Sequence, residues 1–231
     1  MDPYSFSDGN PCLVDQTQNT VNMGASFKNI ELSVRYRNYR NYIQEVESPL
    51  SATSNIVRKY SINFPSLREW MISLGYSFNI RNFNASARVS LNVPYARIPV
   101  DNGIEKREFP QFDAFLNLTY QPCDWLSLYT NYEHQGHSEC LITTQRAVDA
   151  WNIGVSAALL KKRLSLDLSF NDILGRANYN NLTNTYKDVS WGTYGSGDSR
   201  GIWLTMTYVI FDKQINGKTT PGNSSEIMRT Q

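Results

Sequence analysis

The chain of 231 residues has no run of about 18 or more consecutive apolar residues, the length that a membrane-crossing helix needs. That excludes a transmembrane helix but not a membrane barrel, whose alternating strands average out to polar. Surplus charge is missing as well, with Lys+Arg 22 against Asp+Glu 21. No basic excess points to nucleic acid as a partner, and no acidic excess points to a disordered tail. Cysteine is scarce: Cys12, Cys123 and Cys140 are an odd set without a C-x-x-C pair, which indicates neither a disulfide framework nor a zinc knuckle. A Cys12–Cys140 bridge would need both residues in loops at the same end. The chain shows no Ser/His/Asp set, no paired carboxylates on a rigid wall and no nucleotide signature, so it reads as no enzyme and as needing no cofactor. The opening residues, Met1 to Asp8, have neither the basic nor the apolar region of a signal peptide. Either the protein stays in the cytoplasm, or an export signal lies upstream.

What the sequence does have is tyrosine (14 residues), abundant Asn and Ser, and alternation. In Leu164-Ser165-Leu166-Asp167-Leu168-Ser169-Phe170-Asn171 every second residue is apolar. A strand sends successive side chains to opposite faces, so this stretch has one oily and one wet face; a helix would scatter the leucines. The same period recurs from Val21 to Phe27, Ile30 to Tyr36, Trp70 to Phe78, Phe83 to Val93, Ala114 to Tyr120, Leu126 to Tyr132, Trp151 to Leu159 and Ile202 to Ile210. That makes about nine strands. Residues 43–68, 95–110, 134–147 and 174–199 carry no sustained period and read as long loops, whereas the other connections are tight turns.

Tight and long connections alternate, so all tight turns fall at one end and all long loops at the other, as in outer-membrane barrels. Aromatics mark both ends of the oily stripes. Phe27, Phe78, Phe83, Tyr120 and Tyr208 lie toward the turns, and Tyr36, Trp70, Tyr132, Trp151 and Phe170 toward the loops. Two such bands resemble interfacial girdles. A soluble β-sandwich also alternates, but its strands are shorter and its loops are not sorted by end. The expected fold is therefore all-β: an antiparallel transmembrane β-barrel segment of about nine meander strands. An odd count cannot close cleanly, and open edges in lipid are costly. We therefore expect part of a larger barrel, unless residues 10–18 supply a tenth strand.

On the wet faces Glu31, Arg35, Arg37, Arg88, Glu133 and Asp167 would point into a lumen, to contact a plug or polar solute or simply to hydrate the wall. The one stretch that invites a metal is Glu133-His134-Gln135-Gly136-His137-Ser138-Glu139-Cys140, with His134, His137 and Cys140 as Zn²⁺ or Cu²⁺ ligands. Its plain reading is a solvated external loop.

Leu159-Leu160-Lys161-Lys162-Arg163-Leu164-Ser165-Leu166, the strand end Phe170-Asn171-Asp172-Ile173-Leu174, the final Leu204-Thr205-Met206-Thr207-Tyr208 and the tail Gly222-Asn223-Ser224-Ser225-Glu226 with Arg229 carry a resemblance. They look like the C-terminal barrel segment of a TonB-dependent outer-membrane receptor, in the outer membrane protein beta-barrel family. The likeness is specific beyond about residue 110, and its motifs are structural. It implies a place in the outer membrane of a Gram-negative bacterium, with membrane lipid as a partner. A missing N-terminal plug and barrel portion would be a further partner, and the TonB system an indirect one. The chain would be wall for a ligand-uptake channel, inactive without its plug. It would divide into an extracellular loop remnant (1–19), a barrel segment (20–211) and a periplasmic polar tail (212–231). The alternatives are a small stand-alone barrel or pore and, further off, a soluble β-sandwich binding module.

Overall fold

The computed structural model describes residues 5–50, 56–177, 181–187, 189–195 and 197–210. In chain order the strands are β1 (Ser5–Asp8), β2 (Thr17–Phe27), β3 (Ile30–Pro49), β4 (Val57–Ile80), β5 (Phe83–Val100), β6 (Gly103–Glu108), β7 (Gln111–Cys123), β8 (Leu126–Gln135), β9 (Ser138–Cys140), β10 (Thr143–Gln145), β11 (Val148–Leu159), β12 (Leu164–Asn171), β13 (Leu182–Tyr186), β14 (Val189–Thr193) and β15 (Gly201–Tyr208). The main sheet is an antiparallel meander in the order β15-β12-β11-β8-β7-β5-β4-β3-β2. These nine strands are those that alternation marks out. The strand from Leu164 pairs with the terminal strand, Leu164 opposite Tyr208 and Phe170 opposite Ile202.

Cross-strand register joins the oily stripes into one face. Leu32 pairs with Leu74 and Leu74 with Val89. Leu128 pairs with Val155, Val155 with Leu168, and Leu168 with Leu204. Among the described residues nothing covers this face: Ile72, Leu74, Leu204 and Met206 are all exposed. The aromatic bands also form, with the Tyr36 and Trp70 rings 4.6 Å apart and Trp151 donating from Nε1 to Thr130 Oγ1 at 2.8 Å. One ladder row links Phe170 on β12 through Ile153, Thr130, Leu118 and Ala85 to Phe78 on β4. It therefore runs obliquely from one band to the other. That offset amounts to between one and two residues per strand, roughly the stagger that accompanies the ~35–45° tilt of a barrel wall.

The buried core lies beyond the loop-side band, on the other face. Tyr39, Val46, Phe64, Leu67, Ala96, Ile98, Leu141, Ile142 and Tyr186 form it. A second sheet, β14-β13-β10-β9, supplies part of it. Its β9–β10 turn pushes Leu141 and Ile142 into the core, and the Phe64 and Tyr186 rings stack at 5.9 Å. This corrects the expectation of long loops. Residues 43–68 and 95–110 largely continue β3, β4 and β5 outward and add β6, while 134–147 and 174–199 contain the short strands of the second sheet.

The period fails in the first of these for a definite reason. Asn41 (φ 53°) and Pro65 are skipped in the β3–β4 ladder, between Arg40–Ser66 and Tyr42–Phe64. Below them odd-numbered Tyr39 and Leu67 are buried; above them even-numbered Val46 and Phe64 are. A left-handed residue opposite a proline, which has no N–H to give the ladder, resets the alternation by one.

Residues 1–19 also differ from a plain loop. β1 pairs in parallel with β4, Ser5 opposite Val57, where β4 extends past its β5 partner, and Arg58 bridges Asp8 at 2.8 Å. Asn63 then clasps the backbone of Val14, accepting its N–H and donating to its carbonyl, both at 2.8 Å. The β-structure resumes at Thr17, so residues 10–16 add no tenth strand to the wall. Residues 211–231, including the expected tail, lie outside the described residues.

Candidate functional site

The face opposite the oily one is the candidate site, a polar wall beneath the second sheet. Because rows of the ladder bring non-local residues side by side, register decides which side chains meet. One row reads Glu31, Gly75, Arg88, Phe115, Glu133 across β3, β4, β5, β7 and β8. An added Cβ on Gly75 would stand 3.7 Å from Glu31 Cβ and 3.9 Å from its carboxylate, so Glu31 lies over the glycine. Glu31, Gly75, Arg88 and Phe115 line a shallow recess of about 170 Å³; Arg88, Asp113, Phe115 and Glu133 line the next, of about 250 Å³. Among the described residues Glu31, Arg88 and Glu133 take no ion-pair partner.

The other wall candidates are held. Arg35 donates from Nε to Asn22 at 2.8 Å. Arg37 pairs with half-buried-to-buried Glu69 at 3.0 Å, which ties β3 to β4 under the core. Asp167 accepts the Tyr129 hydroxyl at 3.0 Å. The Tyr129 ring reaches it by lying across Gly154, where a Cβ would come within 2.3 Å of Cζ. Here the missing side chain is what lets an aromatic ring span to the next strand but one.

A further row was not legible strand by strand. Ser77, Ser86, Asn117, Asn131 and Asn152 stand side by side on five neighbouring strands. Only register reveals it, since these residues are spread over some 75 positions. The wall is thus a ladder of neutral amides and hydroxyls with isolated charges above and below. Chemically it can hydrate a lumen or hydrogen-bond a polar surface laid against it.

The metal candidates are not gathered. His134 Nδ1 meets Asp149 Oδ1 at 2.8 Å, and that oxygen also accepts the Tyr132 hydroxyl at 2.8 Å. Tyr132 and Trp151 belong to the oily face, so this cluster looks outward at the loop-side band. His137 contacts Glu139 at 3.1 Å and the Phe109 ring at 4.9 Å. Cys140 packs against the core, where burial first, and then the charge of Glu69, pushes its thiol up to about 11. Among the described residues no three His, Cys, Asp or Glu side chains form a metal-binding group. Cys12, Cys123 and Cys140 are all free thiols, so the Cys12–Cys140 bridge is not formed; Cys12 sits exposed while Cys140 is partly buried against the core.

The residue whose role the sequence concealed is Asp172, 2% exposed, with φ 48°. Its carboxylate accepts the N–H groups of Arg176 and Ala177, both at 3.0 Å, and the Ser199 hydroxyl. Burial pushes its carboxyl up, but the Ser199 hydroxyl and the backbone N–H groups of Ala177, Arg176 and Gly175 outweigh it and hold it below its ordinary value. It anchors the external segment after β12 at both of its ends.

Three comparisons with known proteins bear on this geometry. The outer membrane protein beta-barrel family matches residues 1–208. Among solved structures, the outer membrane transporter YddB from Escherichia coli is similar with a TM-score of 0.49 and 14% identity, over 85% of this chain and 33% of that one. The chain thus spans about a third of that transporter's length. No curated protein matches.

Proposed function

We propose, from the premise that the chain belongs to the outer membrane protein beta-barrel family, that it forms the C-terminal wall of a TonB-dependent uptake receptor. The protein resides in the outer membrane, its oily face to lipid. The observation that carries the reading is the open meander. Among the described residues β2 and β15 each have a ladder partner on one side only, and both run from the loop end to the turn end. Each unpaired backbone group in lipid costs several kcal/mol, so further strands must flank both edges. An antiparallel partner beside each edge must run from the turn end to the loop end. The completing piece then has an odd number of strands and the whole barrel an even one, as bacterial barrels do. The polar ladder is the surface that a plug or a passing ligand would meet. No part of the reading calls for nucleic acid.

The test is to produce the chain with and without the remainder of its barrel. Alone it should yield no heat-modifiable monomer and no discrete conductance in planar bilayers. With its completing part and plug it should support ligand uptake that stops when the inner membrane is de-energised. A conducting, closed monomer from this chain by itself would establish the stand-alone barrel instead.

A further inference from the structure

We infer that the outer face carries a binding site for multiply phosphorylated lipid head groups of the external leaflet, built from Arg40, Arg68, Arg97 and Lys106. Register assembles it. Arg40 and Arg97 flank Ser66 in one row, and Lys106 continues that row on β6. Arg68 lies one residue pair lower on the same face, between Asn38 and Tyr95. Side-chain parity fixes the face: Leu67, Glu69, Ala96 and Ile98 are buried on the opposite side, and all four cations are exposed. Strands about 4.8 Å apart place Arg40 and Arg97 about 10 Å from each other, with Arg68 close to both.

Two independent features point to lipid phosphate. The first is height. Arg68 follows Trp70 on the same face of β4, about 7 Å along the strand, and the Tyr36–Trp70 ring pair marks the hydrocarbon boundary just beneath. Because the rows run obliquely between the bands, Arg97 and Lys106 stand higher than Arg40 and Arg68. The cations thus climb through the head-group zone instead of ringing one level, which suits a head group with phosphates at more than one depth. The second is the lack of internal partners. Among the described residues none of the four side chains has an ion pair, hydrogen bond or ring contact; on the inner face Arg35, Arg37 and Arg107 are engaged, and Arg88 has no ion pair. Within the patch one acid, Glu108, lies next to Tyr95 and neutralises none of the four by contact, and exposed Glu45 shares the face higher up β3. A surplus of three positive charges directly above an aromatic belt is complementary to phosphates anchored in the leaflet below.

The inference needs only the outer-membrane location and stands whether or not the wall belongs to an uptake receptor. The test uses the chain purified in mild detergent from outer membranes, together with whatever completes its wall. Binding is measured to detergent-dispersed diphosphorylated lipid A, to its dephosphorylated form, to phosphatidylglycerol and to inorganic phosphate. At about 1 kcal/mol per cation near a charged surface, each arginine contributes about fivefold and three about a hundredfold. The triple variant Arg40→Gln, Arg68→Gln, Arg97→Gln should therefore bind lipid A about a hundredfold more weakly. The matching lysine triple should retain most of the affinity. A control that removes three cations at the turn end, Lys161→Gln, Lys162→Gln, Arg163→Gln, should bind as the parent does. Single glutamine variants give the stepwise loss if the triple does not assemble. Equal binding by the parent and the outer triple, or equal binding to dephosphorylated lipid, overturns the site. So does competition by millimolar inorganic phosphate alone, or phosphatidylglycerol binding as tightly as lipid A.

Discussion

Arginine substitutions along β4 test what touches the oily face and how deep each residue sits. Leu74 lies midway between Trp70 and Phe78, between Leu32 and Val89 in its row, and is 46% exposed, so no protein core covers it. An arginine at the bilayer midplane of a barrel costs about 2–4 kcal/mol, and one near the interface about 0–1 kcal/mol. Leu74→Arg should therefore lower the folded-to-unfolded ratio roughly 30- to 700-fold. Ile80→Arg, on the same face at the tight turn, should cost about 1 kcal/mol or less. Ser73→Arg turns to the polar wall; among the described residues its fixed loss is the Ser73–Ser90 hydroxyl bond of 2.8 Å, about 1 kcal/mol. The assay is urea titration of the assembled barrel in phospholipid bilayers, followed by tryptophan fluorescence. A protein core would penalise both Leu74→Arg and Ile80→Arg, whereas lipid penalises by depth. Equal costs at 74 and 80, or a Ser73→Arg cost matching Leu74→Arg, would falsify the lipid-facing assignment.

Three other outcomes follow from single contacts. Asp172→Ala should free the segment after β12, with a loss of about 2–3 kcal/mol read as faster amide exchange in residues 173–177 and 197–200. Because the folded carboxyl of Asp172 titrates lower than the unfolded one, its contribution is complete above the ordinary carboxylate range and disappears as pH falls through the lowered value; protection that instead disappears as pH rises would contradict the anchor. Gly154→Ala should displace the Tyr129 ring and break its bond to Asp167, so that adding Tyr129→Phe, which alone costs about 1 kcal/mol in a urea titration, has little further effect. At pH 8 a small maleimide should label Cys12 within minutes and leave Cys140 unmodified, since a thiol near 11 is only about 0.1% thiolate there; rapid labelling of both would mean that the cap over Cys140 opens.

The parts of this molecule that the sequence discloses are those in which one strand suffices. Alternation in Leu164–Asn171 or Trp70–Phe78 is a property of consecutive residues, so strand, face and aromatic ends all follow from it. It survives because, on the proposed reading, one face meets lipid along its whole length, which keeps the oily period unbroken. Above the band that constraint ends. β3, β4 and β5 bury their other face under a second sheet, and Asn41 with Pro65 shifts the parity. A period-2 reading then sees no period and returns a loop. The short strands β9, β10, β13 and β14 hide for a related reason: their apolar residues sit in turns and at ends, as Leu141 and Ile142 do, not at alternate positions.

The polar residues show where a single strand stops being informative. Parity alone assigns Glu31, Arg35, Arg37, Arg88, Glu133 and Asp167 to one wall. It does not say that Arg37 meets Glu69, that Tyr129 crosses a glycine to reach Asp167, or that Glu31, Arg88 and Glu133 share a row while keeping apart. Those relations depend on register, and register joins residues tens of positions apart. The same holds on the outer face with greater consequence. Arg40, Arg68, Arg97 and Lys106 come from segments that read as two separate loops or their flanks, yet the ladder brings them onto one patch above one tyrosine–tryptophan pair. A one-residue slip between β4 and β5 would turn Arg97 inward onto the buried core, stranding its charge away from water. The buried Ala96 and Ile98 on either side thus hold Arg97 outward, so the core that closes the inner face also sets the charge that the outer face presents.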